Sequence, residues 1–166
     1  NTKLKELNCT TNQLTELDLG SNTKLTILDC RSNQLTSLDV SSNTILTELN
    51  CYDNQLASLD VSRNDVLTLL ICNGNKLTKL DLKNNTMLMS LNCSGNAIES
   101  LDLNGCSGLY ELFCDENKLT ELEVSNCKGL RILNCYKNNL VKLDVSKNEN
   151  ITGVECYENK LTSLDI

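Results

Sequence analysis

The chain has 166 residues, and its 15 Lys and Arg against 22 Asp and Glu give a net charge of −7. This acidic balance disfavours nucleic acid and anionic membranes as partners, because both attract cationic surfaces. No apolar run approaches the roughly 20 residues of a membrane-spanning helix, and histidine, the usual general base, is absent. We therefore expect no membrane insertion, no cofactor and no enzymatic activity.

One motif recurs every 21 residues along the chain. Residues 46–56 read Leu-x-x-Leu-x-Cys-x-x-Asn-x-Leu, and eight copies follow one another without an insertion. The cysteines of the eight copies are Cys9, Cys30, Cys51, Cys72, Cys93, Cys114, Cys135 and Cys156. An asparagine follows each of them three residues later. A fixed period of this length predicts a solenoid of eight stacked coils, numbered 1–8 from the N terminus.

Six positions of the repeat are apolar in all eight copies, which predicts a continuous core through the stack. In the first copy they are Leu4, Leu7, Cys9, Leu14, Leu17 and Leu19. Leu7 and Cys9 alternate with polar residues, as do Leu17 and Leu19, and this is the period of a half-buried strand. We expect a strand at the cysteine, a second short strand or extended turn opposite it, and little or no helix. Eight coils would make a rod of about 38 Å.

A second asparagine column closes each repeat and runs through Asn22, Asn43, Asn64 and Asn85. A buried Asn amide can satisfy both backbone N–H and C=O groups, so we interpret both asparagine columns as structural. Cysteine replaces asparagine in this column at positions 106 and 127, within Cys-x-Gly-Leu segments. We expect the turn to differ there.

The eight ladder cysteines have two competing interpretations, a chemical site or part of the core. No second Cys stands at zinc-knuckle spacing, no His is present, and each Cys is flanked by core leucines. Stacked strands would also hold the Cβ atoms too far apart for disulfides. We therefore predict buried free thiols that act as small hydrophobes, with no metal.

An acidic column presents a similar choice. It comprises Asp18, Asp39, Asp60, Asp81, Asp102, Glu123, Asp144 and Asp165. A calcium ladder is open as an alternative, since hard oxygen ligands suit that ion. We favour carboxylates that accept hydrogen bonds from nearby hydroxyls and backbone N–H groups in a turn.

The variable positions of the cysteine-bearing strand are the candidate binding surface. The outward positions lie three before, one before and one after each cysteine, and we call them together the strand face. Four of the five aromatic residues fall on it, and none occupies a core column. Exposed aromatics on a regular surface are typical interface anchors. The predicted partner-binding residues are Tyr52, Leu69, Ile71, Tyr110, Phe113, Ile132, Tyr136 and Tyr157.

The repeat resembles the leucine-rich-repeat family. In particular, residues 46–56 followed by Leu59-Asp60-Val61 resemble the 21-residue bacterial class with nested half-repeats, sometimes called IRREKO, related in architecture to internalin-type surface proteins. The resemblance implies a right-handed solenoid with parallel strands on its concave face. It also implies an extracellular or bacterial cell-surface location and the binding of other macromolecules.

We expect one domain over residues 1–166, a part of a longer chain, because Asn1 already occupies a repeat column and polar caps are missing. The predicted function is that of a non-enzymatic recognition module with a protein partner, and a glycan partner is the alternative. The alternatives are a structural spacer or stalk in a surface protein, and a targeting segment beside a separate catalytic domain. We expect a monomer, with end-to-end stacking through uncapped ends as the alternative.

Overall fold

Each of the eight coils contributes one short strand to a parallel sheet in the computed structural model, which describes residues 1–166. The sheet consists of β1 (Glu6–Asn8), β2 (Ile27–Asp29), β3 (Glu48–Asn50), β4 (Leu69–Ile71), β5 (Ser90–Asn92), β6 (Glu111–Phe113), β7 (Ile132–Asn134) and β9 (Gly153–Glu155). Neighbouring strands pair 21 residues apart, so that Leu49 lies opposite Leu28 and Leu70. The predicted solenoid and its period are confirmed.

The opposite side of the coils is extended and forms strands only in the last two coils. There β8 (Lys142–Asp144) pairs in parallel with β10 (Ser163–Asp165). The equivalent segments of coils 1–6 are neither strand nor helix. The expectation of a short strand or extended turn opposite the cysteine strand is confirmed. None of the chain's segments forms a long apolar helix that would cross a membrane.

The core is one continuous column of leucines, valines, isoleucines and cysteines. In the inner coils the side chains of Leu46, Leu49, Cys51 and Leu56 have no exposed surface. The middle residue of each strand points inward while its neighbours point out, as in the buried centre of β4. Burial of one such leucine contributes roughly 1.5–3 kcal/mol, and stacking repeats this contribution in every coil.

The asparagine that follows each ladder cysteine joins one coil to the next. The Asn54 side-chain Nδ2 donates to the carbonyl oxygens of Cys51 and of Cys30 in the preceding coil, both at 3.1 Å. Its Oδ1 accepts the backbone N–H of Leu35 at 3.0 Å. These bonds satisfy backbone groups that the inward turn would otherwise bury unpaired. The structural interpretation of this column is confirmed.

In the second asparagine column only the Nδ2 group of each side-chain amide forms hydrogen bonds. The Asn64 Nδ2 donates to the carbonyl oxygens of Val40 (3.2 Å) and Asn43 (2.9 Å), which both belong to the equivalent turn one coil earlier. Its buried Oδ1 has no hydrogen-bond partner. The expectation that one amide satisfies both kinds of backbone group therefore holds for the first column alone.

The turns at Cys106 and Cys127 keep the main backbone bond of the other turns, and the expected difference is limited to local contacts. The Cys106 N–H donates to the Leu103 carbonyl, and the Cys127 N–H to the Val124 carbonyl, both at 2.9 Å. The asparagine-bearing turns have the same bond at 2.9–3.0 Å. At Cys106 the side-chain bond changes, because its Sγ approaches the Asn85 carbonyl oxygen at 3.9 Å in place of an amide. At Cys127 the backbone gains one bond, from the Lys128 N–H to the Asn126 carbonyl oxygen at 3.0 Å. Backbone bonds thus set the turn without the side-chain amide.

One residue per coil adopts the left-handed backbone conformation, immediately before the first-column asparagine. The φ angle is +62° at Gly74 and +60° at Gly95. Six non-glycine residues of the same column have φ of 50–54°, and they are Thr11, Ser32, Asp53, Glu116, Lys137 and Glu158. This conformation costs an L-residue roughly 1–2 kcal/mol relative to glycine. The sequence signalled it only through the two glycines.

Replacing Gly74 with alanine is expected to lower the free energy of unfolding by about 1 kcal/mol, measured by urea denaturation. Space is not the reason, because an added Cβ would lie 3.5 Å from the nearest atom, the Asp53 nitrogen. Gly108→Ala is the matched control, since its Cβ would lie 3.7 Å from its nearest neighbour and its φ is not positive. Equal losses from the two substitutions would contradict left-handed strain at Gly74.

Candidate interaction surface

The strand face carries all the predicted binding residues except Tyr110. Tyr52, Leu69, Ile71, Phe113, Ile132 and Tyr136 are half-buried, and Tyr157 is 54% exposed. They form two groups, which we call the coil 3–4 patch (Tyr52, Leu69 and Ile71) and the coil 6–8 cluster (Phe113, Ile132, Tyr136 and Tyr157). Each residue occupies an outward position because the central residue of its strand points into the core.

The coil 6–8 cluster is organised around two stacked tyrosines. The rings of Tyr136 and Tyr157 lie 4.5 Å apart between centroids and are inclined by 5°. They occupy the same column in neighbouring coils. Phe113 on β6 lies diagonal to Ile132 and Tyr136, because the partner of Phe113 in β7 is Asn134. Diagonal neighbours in a sheet are within reach of large side chains, so the register brings the four residues onto one surface.

Asp115 anchors the inner edge of this cluster. It is only 7% exposed, and its Oδ1 accepts the Ser94 hydroxyl at 2.6 Å. Its carboxylate also accepts a hydrogen bond from the Tyr136 hydroxyl, which raises the pKa of Tyr136 because the neutral phenol is the donor. The hydroxyl of Tyr136 thus faces Asp115, while its ring stacks on that of Tyr157.

The coil 3–4 patch is smaller and has a cation of its own. The Arg31 guanidinium carbon lies 5.7 Å from the centroid of the Tyr52 ring, and the Arg31 Nε lies 3.5 Å from an Asp29 carboxylate oxygen. Leu69 and Ile71 are the two outward residues of β4. The patch thus combines two aliphatic side chains with a tyrosine that is already covered in part by arginine.

Tyr110 lies on the rim beside the strand face, where sequence reasoning missed further apolar residues. Ile45 (46% exposed), Met87 (51%) and Met89 (50%) lie along the same edge with Tyr110 (42%). The column of Met89 and Tyr110 holds threonine in coils 2, 3, 4 and 8, and there the hydroxyl donates to a carbonyl oxygen of the preceding coil, as Thr47 does at 3.0 Å. The apolar interruption of a threonine column was the signal that could have revealed this rim.

The acidic column is explained by turn hydrogen bonds. The Oδ1 of Asp60 accepts the backbone N–H of Ser62 at 2.9 Å, and Asp39 does the same with Ser41 at 2.9 Å. The Ser62 N–H and hydroxyl hold the pKa of the Asp60 carboxyl below its usual value. Equivalent bonds recur at Asp18, Asp81, Asp102, Glu123 and Asp144. The turn interpretation is therefore confirmed. No group of three or more His, Cys, Asp or Glu side chains is arranged to hold a metal ion.

The larger grooves follow this acidic column and not the strand face. One groove of about 740 Å³ has Leu59 and Leu80 in its floor and Asp60, Asp81 and Asp102 among its walls. Its floor leucines are only 5–7% exposed, so little apolar surface is offered. A shallow polar trough of this kind lacks the apolar lining of a small-molecule site. The exposed aromatic surface lies elsewhere, on the strand face.

All ten cysteines are free thiols, and the eight in coils 2–7 are fully buried. Burial raises the pKa of Cys30 and Cys93 to about 12, because an apolar environment disfavours the thiolate. The interpretation of the cysteines as small hydrophobes is confirmed.

In the native protein at pH 8, we expect only Cys9 and Cys156, the two partly exposed thiols, to react with a chromogenic disulfide reagent. All ten should react after unfolding in guanidinium. Rapid modification of six or more native thiols would contradict the buried ladder.

No protein-family model matches the chain, and no curated protein matches it. Solved structures do. The functional domain of InlJ from Listeria monocytogenes, which includes a cysteine ladder, is 33% identical with a TM-score of 0.71, and the match covers 97% of this chain and 46% of that one. The leucine-rich-repeat protein LIC12759 of Leptospira interrogans is 28% identical with a TM-score of 0.89, over 97% of this chain and 45% of that one.

A third similar structure comes from a plant. It is the leucine-rich-repeat ectodomain of the receptor kinase GASSHO1/SCHENGEN3 from Arabidopsis thaliana, in complex with CASPARIAN STRIP INTEGRITY FACTOR 2. It is 24% identical with a TM-score of 0.83, over 96% of this chain and 25% of that one. At this identity the likeness concerns the fold alone.

The chain spans less than half the length of the two bacterial proteins it resembles, at 46% and 45%. The agreement nevertheless extends over nearly all of this chain, and with InlJ it includes a ladder of stacked cysteines. The chain is a leucine-rich-repeat solenoid of the 21-residue cysteine-and-asparagine class, related in architecture to the internalin-type proteins.

Proposed function

We propose that the chain is a non-enzymatic protein-recognition module that binds its partner through the strand face of coils 6–8, as part of a surface or secreted protein. The observation that carries the proposal is the coil 6–8 cluster, because aromatic side chains stand outward where the core does not require them. Buried aromatic anchors supply much of the energy of protein interfaces.

The solved relatives support the general role. The plant ectodomain is in complex with CASPARIAN STRIP INTEGRITY FACTOR 2, which shows that this fold is used for recognition. The surface or secreted location is proposed from the likeness to the internalin-type proteins. A spacer or stalk would need the same core but would not need an aromatic pair on one face.

The test is a screen of the purified chain against extracellular proteins and a glycan array, with the double variant Phe113→Ser/Tyr136→Ser alongside. We expect a protein hit whose affinity falls at least about tenfold in the variant, because two interface anchors are removed. Both side chains are half-buried and outside the core, so the variant should lose some stability but stay folded, as circular dichroism checks.

The matched control is Val141→Ser, which removes an apolar side chain that is 46% exposed outside the strand face. It should bind as the parent does. A protein hit unaffected by the double variant would contradict the proposed site, and hits on the glycan array alone would replace the protein partner with a sugar. The absence of any binding in the whole screen would favour the structural spacer.

A further inference from the structure

One column of the strand face alternates between amides and apolar side chains. It lies one residue before each ladder cysteine, and in coils 3–7 it reads Asn50, Ile71, Asn92, Phe113 and Asn134. We call these five residues the alternating column. The sheet register places Ile71 between Asn50 and Asn92. It likewise places Phe113 between Asn92 and Asn134. Each of the five strands has a paired strand on both sides, and like groups therefore recur in every second coil.

The three amides of the alternating column present hydrogen-bond donors to solvent. The Oδ1 atoms of Asn50 and Asn92 accept the backbone N–H groups two residues later, at 3.4 and 3.1 Å. Each Nδ2 is left without a partner in the chain, and none of the three, including that of Asn134, is buried. Ile71 and Phe113 are partly exposed between these amides, so that a ligand would contact their outer ends.

The spacing of the alternating column fits one conformation of a bound peptide. Neighbouring strands lie about 4.8 Å apart, so the donors recur roughly every 9.6 Å along the solenoid. A polyproline II helix repeats every three residues, or about 9.3 Å, and its carbonyl oxygens are all free to accept hydrogen bonds. An extended strand repeats roughly every 6.7 Å, and an α-helix engages its carbonyl oxygens internally. From coil 3 to coil 7 the polyproline helix and the column stay in step to within about 1 Å.

The charge around the alternating column favours a basic segment. The strand face of coils 3–7 and the left-handed residues beside it carry one cation and five carboxylates, which are Glu48, Asp53, Glu111, Asp115 and Glu116. The cation is already engaged, since the Lys137 Nζ lies 2.7 Å from a carboxylate oxygen of Glu116 and 5.9 Å from the centroid of the Tyr136 ring. This surface thus holds a net charge of −4 out of the chain's −7, which a cationic partner would neutralise.

We propose that the partner docks a basic, proline-rich segment in the polyproline II conformation along the strand face of coils 3–7. The three amides donate to carbonyl oxygens of the segment at every third residue, and its proline rings contact the two apolar residues between them. Tyr52 and Tyr136 stand beside the two ends of the column, and proline-rich segments commonly dock on aromatic side chains. This inference rests on the proposed function and adds the conformation and charge of the partner.

The test uses the acetylated and amidated peptide (Pro-Pro-Arg)₃, titrated into the ¹⁵N-labelled protein and followed by NMR. As a polyproline helix it is about 28 Å long, enough to cover coils 3–7. We expect it to shift the side-chain amide resonances of Asn50, Asn92 and Asn134. The peptide (Pro-Pro-Glu)₃, which reverses the charge, should not bind. The peptide (Gly-Ser-Arg)₃ keeps the charge but is flexible, and it should bind at least about fivefold more weakly because it loses more conformational entropy.

The variant Asn92→Ala should weaken the binding of (Pro-Pro-Arg)₃ about fivefold, because it removes one donor from the middle of the alternating column. Asn8→Ala is the matched control, since Asn8 occupies the same position in coil 1, outside the proposed contact. The Asn8 Oδ1 accepts the Thr10 N–H at 3.1 Å, as the Asn92 Oδ1 accepts the Ser94 N–H at 3.1 Å. Both variants lose the same local bond, and Asn8→Ala should bind the peptide as the parent does.

Equal affinities for the two arginine peptides would show that charge alone is recognised and would overturn the inference. Equal affinities of the two alanine variants, or the absence of any shift, would overturn it as well. So would a partner from the screen that is lost in Phe113→Ser/Tyr136→Ser but is neither weakened by Asn92→Ala nor displaced by (Pro-Pro-Arg)₃, and that result would leave the proposed function standing. A partner whose binding ignores the double variant would instead overturn the proposed function, and a glycan in place of a protein would overturn both.

Discussion

Replacing Asn75 with alanine is expected to lower the free energy of unfolding by about 3 kcal/mol or more, because it leaves several buried backbone groups unpaired. The Asn75 Nδ2 donates to the carbonyl oxygens of Cys51 at 3.0 Å and Cys72 at 3.1 Å, and its Oδ1 accepts the Leu56 N–H at 3.0 Å. The side chain is 9% exposed, so water cannot readily replace these bonds. Urea denaturation followed by circular dichroism measures the loss.

Asn84→Ala is the matched control for this substitution. Asn84 also donates its Nδ2 to a carbonyl oxygen of the preceding coil, that of Ser62 at 2.9 Å, but it is exposed. Water can take over the freed carbonyl, and the loss should be within about 0.5 kcal/mol. Similar losses from Asn75→Ala and Asn84→Ala would mean that the buried asparagine column does not hold the coils together.

Replacing Leu70 with alanine should lower the free energy of unfolding by about 3 kcal/mol, through lost burial and the cavity that remains. Leu70 is the central residue of β4, has no exposed surface, and lies between Leu49 and Leu91 of the neighbouring strands. Because coils interact only with their neighbours, a cavity in coil 4 weakens the coupling between the two halves of the stack.

Leu69→Ala, one residue earlier on the same strand, tests which face is buried. Leu69 is half-buried on the strand face, and its loss should cost about 1 kcal/mol or less. The comparison is made in parallel urea titrations. A larger loss from Leu69→Ala than from Leu70→Ala would show that the inward and outward positions had been exchanged.

The periodicity of the chain made the fold predictable. A one-residue slip would turn every core leucine outward, so the spacing of Leu46, Leu49 and Cys51 sets the register of the strand. The same spacing at every 21st residue then sets the pairing between coils. The repeat therefore indicates which strands pair, which the sequence of a non-repetitive globular protein does not show directly.

Features that depend on backbone geometry were harder to predict. The left-handed residue before each first-column asparagine is glycine only at positions 74 and 95. The residue types at the other six positions therefore did not indicate a conformation that all eight coils share. The turn at Cys106 was expected to differ because its side chain differs. It keeps the common form because backbone bonds, 2.9 Å from the Cys106 N–H to the Leu103 carbonyl oxygen, define it.

The candidate site was predictable as a surface but not in its contacts. Alternation indicated that Phe113, Tyr136 and Tyr157 point outward, since core columns are never aromatic. The bond from the Tyr136 hydroxyl to Asp115 and the cation over each of two tyrosines depend on rotamers, which periodicity does not encode. The methionine rim was missed because Met87 and Met89 belong to two different columns outside the strand face, and only Met89 interrupts a run of threonines.

Hydrogen exchange of the chain with and without a partner from the screen tests recognition through the strand face most directly, because it needs no substitution. We expect slowed amide exchange in residues 111–116, 132–137 and 153–158 of coils 6–8, with the acidic column unchanged. Protection confined to the acidic side, for example around residues 60–62 and 81–83, would contradict the proposed binding face.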